Sequence, residues 1–398
     1  MKKIYSWFFL TLCLYCGCKK QERDITSLEK IESIAVNPMN SLTVTLNDLY
    51  SDCAFIKLET VSESLLSGVN SLYVFNNRIY IYNNRNGGGI YCFDMQGKYL
   101  YKIANIGQGP GETTFMMDFC IDESNDRMWI ADNYMKILKY DLNGHFIQEY
   151  KTDFAIHNIE YLPGSDDLLV IRFGYYEDKN YEVGVYSLAS KQLLNHKDYA
   201  SKFEQIVGGS HTMFPYRNNL VYAFGFTNTV FYIDAKGIHP QYALDFGKCK
   251  VPENLLKEMD NKNLVVELNK PSNNYAGLIS RCIETDEYIT FHYSFRNENR
   301  ISVYSKQSGV EKSLEKVMID NQAQPVSDFL LTHTDSCYYS VIYPHNLLQT
   351  TAGKAEIESA ANYGVYKNLD ALRSVLKEDD NPVIVCGKSN LQALFYSK

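Results

Sequence analysis

Beyond residue 18 the chain has no Cys-x-x-Cys pair, no His-x-x-x-His, no Gly-x-Ser-x-Gly elbow and no glycine loop followed by Lys-Ser/Thr. The linear signatures of a zinc site, a zincin, an α/β-hydrolase and a P-loop nucleotide binder are therefore missing. Basic charge is also scarce: 39 Lys and Arg face 47 Asp and Glu, a formal net charge of −8. An acidic surface has nothing with which to release the counterions of a phosphate backbone, which excludes nucleic acid as a partner. The eight histidines are scattered, and His292, alternating with Phe291 and Tyr293, reads as a strand residue. A paired-carboxylate glycosidase leaves no linear mark, and nothing singles out a pair here.

What is present begins with the leader. Lys2 and Lys3 precede an apolar run from Ile4 to Tyr15, too short for a bilayer and suited to the h-region of a signal peptide. Gly17 and Cys18 follow, an arrangement that resembles a bacterial lipobox, cut before a cysteine that is then acylated. Tyr15 stands where Leu is usual, and Gly17 next to the cut favours Cys18 over Cys16 as the lipidated residue. The expected layout is a signal peptide at 1–17, a polar lipidated tether at 18–40 and one folded domain at 41–398. One acyl chain holds weakly, at about 0.8 kcal/mol per buried CH₂, so a multiply acylated Cys18 is what anchors stably. Losing Lys2 and Lys3 with the leader takes the net charge to −10. Cys53, Cys92, Cys120, Cys249, Cys282, Cys337 and Cys386 cannot all pair within one chain, and most read as small buried hydrophobes.

The chain is rich in strand formers, with 32 Tyr and 20 Phe. It also repeats. Ile90–Ile103 and Ile137–Tyr150 share one layout: a β-rich run, an Asp-x-x-Gly turn and a second β-rich run. The turn's first residue recurs as Asp94, Asp141, Ser187, Asp234 and Ser305, at intervals of 47, 46, 47 and 71. A further strand precedes each turn, at 78–82, 127–131, 167–171, 220–224 and 288–292, and 337–341 supplies a sixth. Three or four strands in about 47 residues is the size of a propeller blade, which buries its faces only by stacking on neighbours. The spacing predicts an all-β, six-bladed β-propeller of four-stranded antiparallel blades with short helical insertions. The long interval holds one helical insertion, from Pro252, and Asn368 caps a helix over 368–378. Val383–Cys386, with Leu391–Tyr396 after it, is read as completing blade six, and Phe55–Leu58 as closing the ring against the C-terminal strands.

Trp129–Asn133 followed by Ile137–Gly144 resembles an NHL-type propeller repeat, and Ile106–Glu112 resembles that repeat's glycine-rich blade junction. More closely, the mature chain is similar to the six-bladed β-propeller lipoproteins abundant in Bacteroides and its relatives. The pieces that carry the likeness are Phe55–Thr60, Phe93–Gly97, the junction at 107–112 and Asn381–Ile384. The resemblance implies a six-bladed ring on an envelope lipoprotein, in the outer membrane, and assigns no catalytic residues. The junction of Gly107, Gln108, Gly109, Pro110, Gly111 and Glu112 lacks the Lys-Ser/Thr of a phosphate cradle, and Pro110 removes a donor, so it reads as a tight structural turn. Asp132 reads as a carboxylate that satisfies backbone groups at the inner end of its blade.

Two functions follow from different classes. The first is a non-catalytic module that binds a small ligand or an envelope protein and needs no cofactor, with the insertion around 248–275 as a contact region. The alternative is a lactonase-like hydrolase or lyase with calcium held by oxygen ligands in the central channel.

Overall fold

The computed structural model describes residues 31–84, 88–174, 179–199, 211–258, 261–268, 270, 272–319, 325–326, 330–334, 336–348 and 362–396. The leader, Cys18 and Gly208–Ser210 lie outside them. The chain enters as β1 (Glu32–Ala35), β2 (Ser41–Thr45), the one-turn α1 (Leu46–Leu49) and β3 (Tyr50–Lys57). Blade one follows with β4 (Ser71–Phe75), β5 (Arg78–Asn83), β6 (Gly89–Asp94) and β7 (Tyr99–Ile103). Blade two holds β8 (Met116–Asp122), β9 (Arg127–Asp132), β10 (Lys136–Asp141) and β11 (Phe146–Lys151). Blade three holds β12 (Ile156–Tyr161), β13 (Leu168–Phe173), β14 (Tyr181–Ser187) and β15 (Gln192–Asp198). Blade four holds β16 (Met213–Tyr216), β17 (Asn219–Tyr222), β18 (Thr229–Asp234) and β19 (Gly237–Asp245).

Two helices, α2 (Glu253–Glu258) and α3 (Asn261–Leu268), occupy the insertion. Blade five is β20 (Ala276–Glu284), β21 (Tyr288–Phe295), β22 (Glu298–Ser305) and β23 (Val310–Met318), with the short β24 (Pro325–Val326) beside β23. Blade six takes β25 (Thr332–His333), β26 (Tyr338–Ile342) and, past α4 (Pro344–Leu348), β27 (Gly364–Tyr366) and α5 (Leu369–Val375), the strand β28 (Val383–Ser389). The helical turn α6 (Ala393–Tyr396) is last.

Six sheets result, and six apolar cores lie between them, one at each blade–blade contact. The repeat explains how the sheets seat against one another. Asp94 Oδ1 accepts the amides of Gln96 and Lys98, both at 2.9 Å, and Asp141 does the same for Asn143 and His145. Ser187 and Ser305 accept one amide each, from Ser190 (3.2 Å) and Ser308 (3.3 Å), and their hairpins still form. The turn glycine also serves the neighbouring blade. Gly97 has φ +85°, and a Cβ there would sit 2.3 Å from the carbonyl oxygen of Lys57 in blade six.

Three expectations need correction. Three sheets exceed four strands: β1 adds to blade four, β2 to blade five and β27 to blade six. Among the described residues the first strand accordingly begins at Glu32, inside the stretch 18–40 read as tether, and Ile34 and Val36 have buried seats. Leu391–Tyr396 is not strand: Leu391 and Leu394, both buried, are three apart, the spacing of a helical turn. The cap of α5 is as expected, Asn368 Oδ1 accepting from Asp370 (2.8 Å) and Ala371 (3.1 Å).

Ring closure joins the two chain ends. β3 pairs antiparallel with β28 as the fourth strand of blade six, Phe55 opposite Val385 and Ile56 opposite Ile384. Buried Lys57 forms an ion pair with Asp380 at 3.1 Å and donates to the carbonyl of Asn362. Asn381, 1% exposed, accepts from Leu66 N–H (2.8 Å) and donates to the carbonyls of Glu59 (2.8 Å) and Ser64 (2.9 Å). Each buried backbone group left without a partner costs roughly 1–3 kcal/mol. Asn381→Ala strips the Leu66 N–H and the Ser64 carbonyl of that partner, while the Glu59 carbonyl keeps the Ser64 hydroxyl, so it is expected to lose on the order of 2 kcal/mol or more in chemical denaturation. A loss under about 1 kcal/mol would mean that Asn381 does not hold the closure.

Candidate functional site

The innermost strand of each blade, β4, β8, β12, β16, β20 and β25, faces the ring's axis, and a cleft opens among them. Its lining includes Asn70, Ser71 and Tyr73 of blade one, Glu123 after β8, His211 and Phe214 of blade four, Arg281 of blade five, and Thr332 and His333 of blade six. Two inner strands carry a bulge at the same place. The register shifts between Met116 and Asp118 in β8, and between Ile156 and Asn158 in β12. A bulge re-aims the side chain that follows it. β20 shifts twice, and Arg281 there has φ +49°.

Behind the cleft the polar residues form one buried belt across four blades. Ser71 donates to Asp118 Oδ1 at 2.9 Å. Asp118 Oδ2 lies 2.8 Å from His211 Nδ1 and accepts from Asn158 Nδ2 at 3.0 Å. The other ring nitrogen, His211 Nε2, is 2.9 Å from Glu160 Oε2, to which the Tyr73 hydroxyl also donates. Asn158 Oδ1 in turn accepts from Arg172 Nε (2.7 Å) and Thr212 Oγ1 (3.3 Å). Arg172, fully buried, stacks 4.2 Å from the Phe224 ring centroid.

Burial works against charge on the His211 ring, but the Asp118 charge and the hydrogen bonds to Asp118 and Glu160 outweigh it and push its pKa up to about 10. His211 is thus an imidazolium at neutral pH, the internal counter-ion of two buried carboxylates. Burial and the Glu160 charge raise the Tyr73 hydroxyl well above its usual value and keep it a donor. His157, also on β12, goes the other way: burial and the Arg172 charge push it down to about 4. Among the described residues, no group of three or more His, Cys, Asp or Glu is placed to hold a metal.

The residues singled out in the sequence lie elsewhere. Cys18 is outside the described residues. In the junction, Glu112 folds back over the glycines and accepts from Gly109 N–H at 2.8 Å, so a Cβ on Gly107 would meet its carboxylate at 2.0 Å. Gly111, φ +79°, makes room for the Phe146 ring, and its carbonyl accepts from the Tyr140 hydroxyl. Gln108 and Pro110 complete the loop, and none of Gly107–Glu112 lines the cleft. Asp132 accepts from the amides of Thr114 and Tyr134, both at 2.7 Å. All seven described cysteines are free thiols, and burial pushes Cys92 up to about 11. Asp118, Glu160 and His211 escaped the sequence reading because each stands on a different blade. The one available signal was the interval of 47 residues from Ser71 to Asp118, the repeat length itself.

Residues 31–388 match the family described as a domain of unknown function, DUF4934. The chain belongs to that family. No curated protein matches this DUF4934 chain. A Bacteroides fragilis NCTC 9343 protein described as exported has the same fold, with TM-score 0.72 and 16% identity over 90% of this chain and 99% of that one. BamB from Moraxella catarrhalis is more distant, with TM-score 0.40 and 11% identity over 66% and 69% of the two chains.

The belt makes stability depend on pH. The folded pKa of His211 is raised above its ordinary 6.5, so its contribution is full below about pH 6.5 and is lost as pH rises through about 10. Chemical denaturation from pH 6 to 10 is expected to show His211→Gln declining less steeply than the unaltered chain. His211→Ala, which leaves two buried carboxylates without their cation, is expected to lose about 3–5 kcal/mol at pH 7. Equal pH slopes for variant and parent would rule the imidazolium out.

Proposed function

We propose that this DUF4934 protein is an exported lipoprotein, held at the outer membrane through acylated Cys18, whose NHL-like propeller binds a small ligand or an envelope protein without catalysing a reaction. The leader Met1–Gly17, with its short apolar run and Gly17-Cys18 end, supports export and the anchor. The description of the Bacteroides fragilis protein as exported agrees with that compartment.

One observation favours binding over metal-dependent catalysis. An oxygen-ligated calcium in the channel needs converging inner carboxylates free to coordinate it. Asp118 and Glu160 do converge, but both are bonded to the buried His211 imidazolium, which takes the place of a cation. The inner wall is thereby a fixed scaffold, and recognition falls to the cleft's lining and to the loops at the ring's ends.

Thermal unfolding with calcium, with EDTA and across a glycan and metabolite panel tests the reading. A ligand at a hundred times its Kd stabilises by about 2.7 kcal/mol. A shift with one ligand class that EDTA does not abolish is the expected result, whereas a calcium shift reversed by EDTA would turn the case toward the hydrolase or lyase. For the anchor, Cys18→Ala is expected to move the protein from the membrane to the soluble fraction, with Cys16→Ala leaving it on the membrane. The reverse pattern would put the acyl group on Cys16.

A further inference from the structure

The segment between the anchor side of the chain and the ring-closing strand is not a spacer. Before reaching β3 it runs along the outer rim of two other blades. β1 pairs in parallel with β19, Ile34 opposite Leu244, and β2 pairs in parallel with β23, Val44 opposite Val317. Strands of four and five residues are too short to hold by pairing alone, so their buried side chains decide the seat.

Those side chains fall at the contacts between blades. Ile34 and Val36 enter the core shared by Val221 and Leu244 of blade four and Ile289 and Phe291 of blade five. Val44, Leu46 and Leu49 enter the core shared by Val303 and Leu314 of blade five and Ile342 and Val383 of blade six. Polar ties follow the same course. Val36 N–H donates to the carbonyl of Asp245 at 2.8 Å in blade four, and the Tyr304 hydroxyl of blade five donates to Glu32 at 2.8 Å. Thr43 Oγ1 donates to Glu315 of β23 at 3.2 Å.

We infer that residues 32–57 act as a clasp, which joins blades four, five and six into one mechanical unit and meets any pull on the N-terminal side before the closing strand does. A pull from that side reaches β1, then β2, and only then the β3–β28 pairing on which the ring depends. Blades one to three have no such strand on their outer edges among the described residues. Blades two and three are therefore insulated from the N-terminal side, and blade one meets the segment only at β3, where Ile56 enters the core it shares with blade six and Gly97 lies against the Lys57 carbonyl. That the pull comes from a membrane rests on the anchor proposed above; the clasp itself does not.

Hydrogen exchange measured by mass spectrometry on the detergent-solubilised full chain, unaltered and as Ile34→Asp, tests the clasp. A charge placed between blades four and five is expected to speed exchange at least tenfold in β19, β23, β3 and β28, with β8 to β15 unchanged. Faster exchange confined to residues 32–36 would overturn the inference, because the segment would then be a passive edge. An equal rise in all six blades would overturn it too, because the ring would then respond as a whole. If Ile34→Asp does not fold, Ile34→Ala is read by the same criterion. Repeating the measurement on Cys18→Ala is expected to give the same pattern, so a failed anchor and a failed clasp are told apart.

Discussion

A stack of twisted sheets is left with two exposed apolar faces unless its last sheet meets its first. In this protein that meeting is made inside one sheet, by strands from opposite ends of the chain. β3 brings residues 50–57 to β28 at 383–389, and buried polar contacts surround it. Lys57 with Asp380, and Asn381 with Glu59, Ser64 and Leu66, tie the two ends within a few residues of each other. Apolar packing alone is non-directional and fits a strand that has slipped, whereas a buried amide satisfied by three set partners fits one register. Two of the four segments that carry the family likeness, Phe55–Thr60 and Asn381–Ile384, meet here.

The same principle governs the centre of the ring. Inner strands from separate blades bring Asp118, Glu160 and His211 together, and their charges are tolerable in that dry setting only because each has its partner. The belt from Ser71 to Arg172 spans blades one to four, while the clasp of residues 32–57 spans four to six. Blade four belongs to both. The propeller is held by six apolar interfaces and given its single arrangement by a polar belt and an apolar-seated clasp that overlap at one blade.

Much of the fold was legible because a propeller repeats. The Asp-x-x-Gly turns recur at about one blade's length, a strand starts 14 to 20 residues before each, and a hairpin closed by Asp and Gly needs only local chemistry. Phe55–Leu58 as the closing strand and Asn368 as a helix cap were legible for similar local reasons. The rim strands were not: Glu32–Ala35 opens on two polar residues, is short, and is paired in parallel with residues more than two hundred positions away. Leu391–Tyr396 misled because two leucines and two aromatics fit a strand as well as a turn of helix.

Sequence alone determined the strand content, the blade period and the hairpin turns, because each rests on residues close together in the chain. Tertiary structure alone decided which polar residues matter. His211 reads in the sequence as one histidine among eight, and becomes a buried imidazolium only when Asp118 and Glu160 arrive from two other blades. Gly97 reads as a turn glycine, and the lack of a side chain is also demanded by the Lys57 carbonyl across the ring closure. Charge state and close approach depend on neighbours in space, and a period along the chain reports that blades stack without reporting what they bring together.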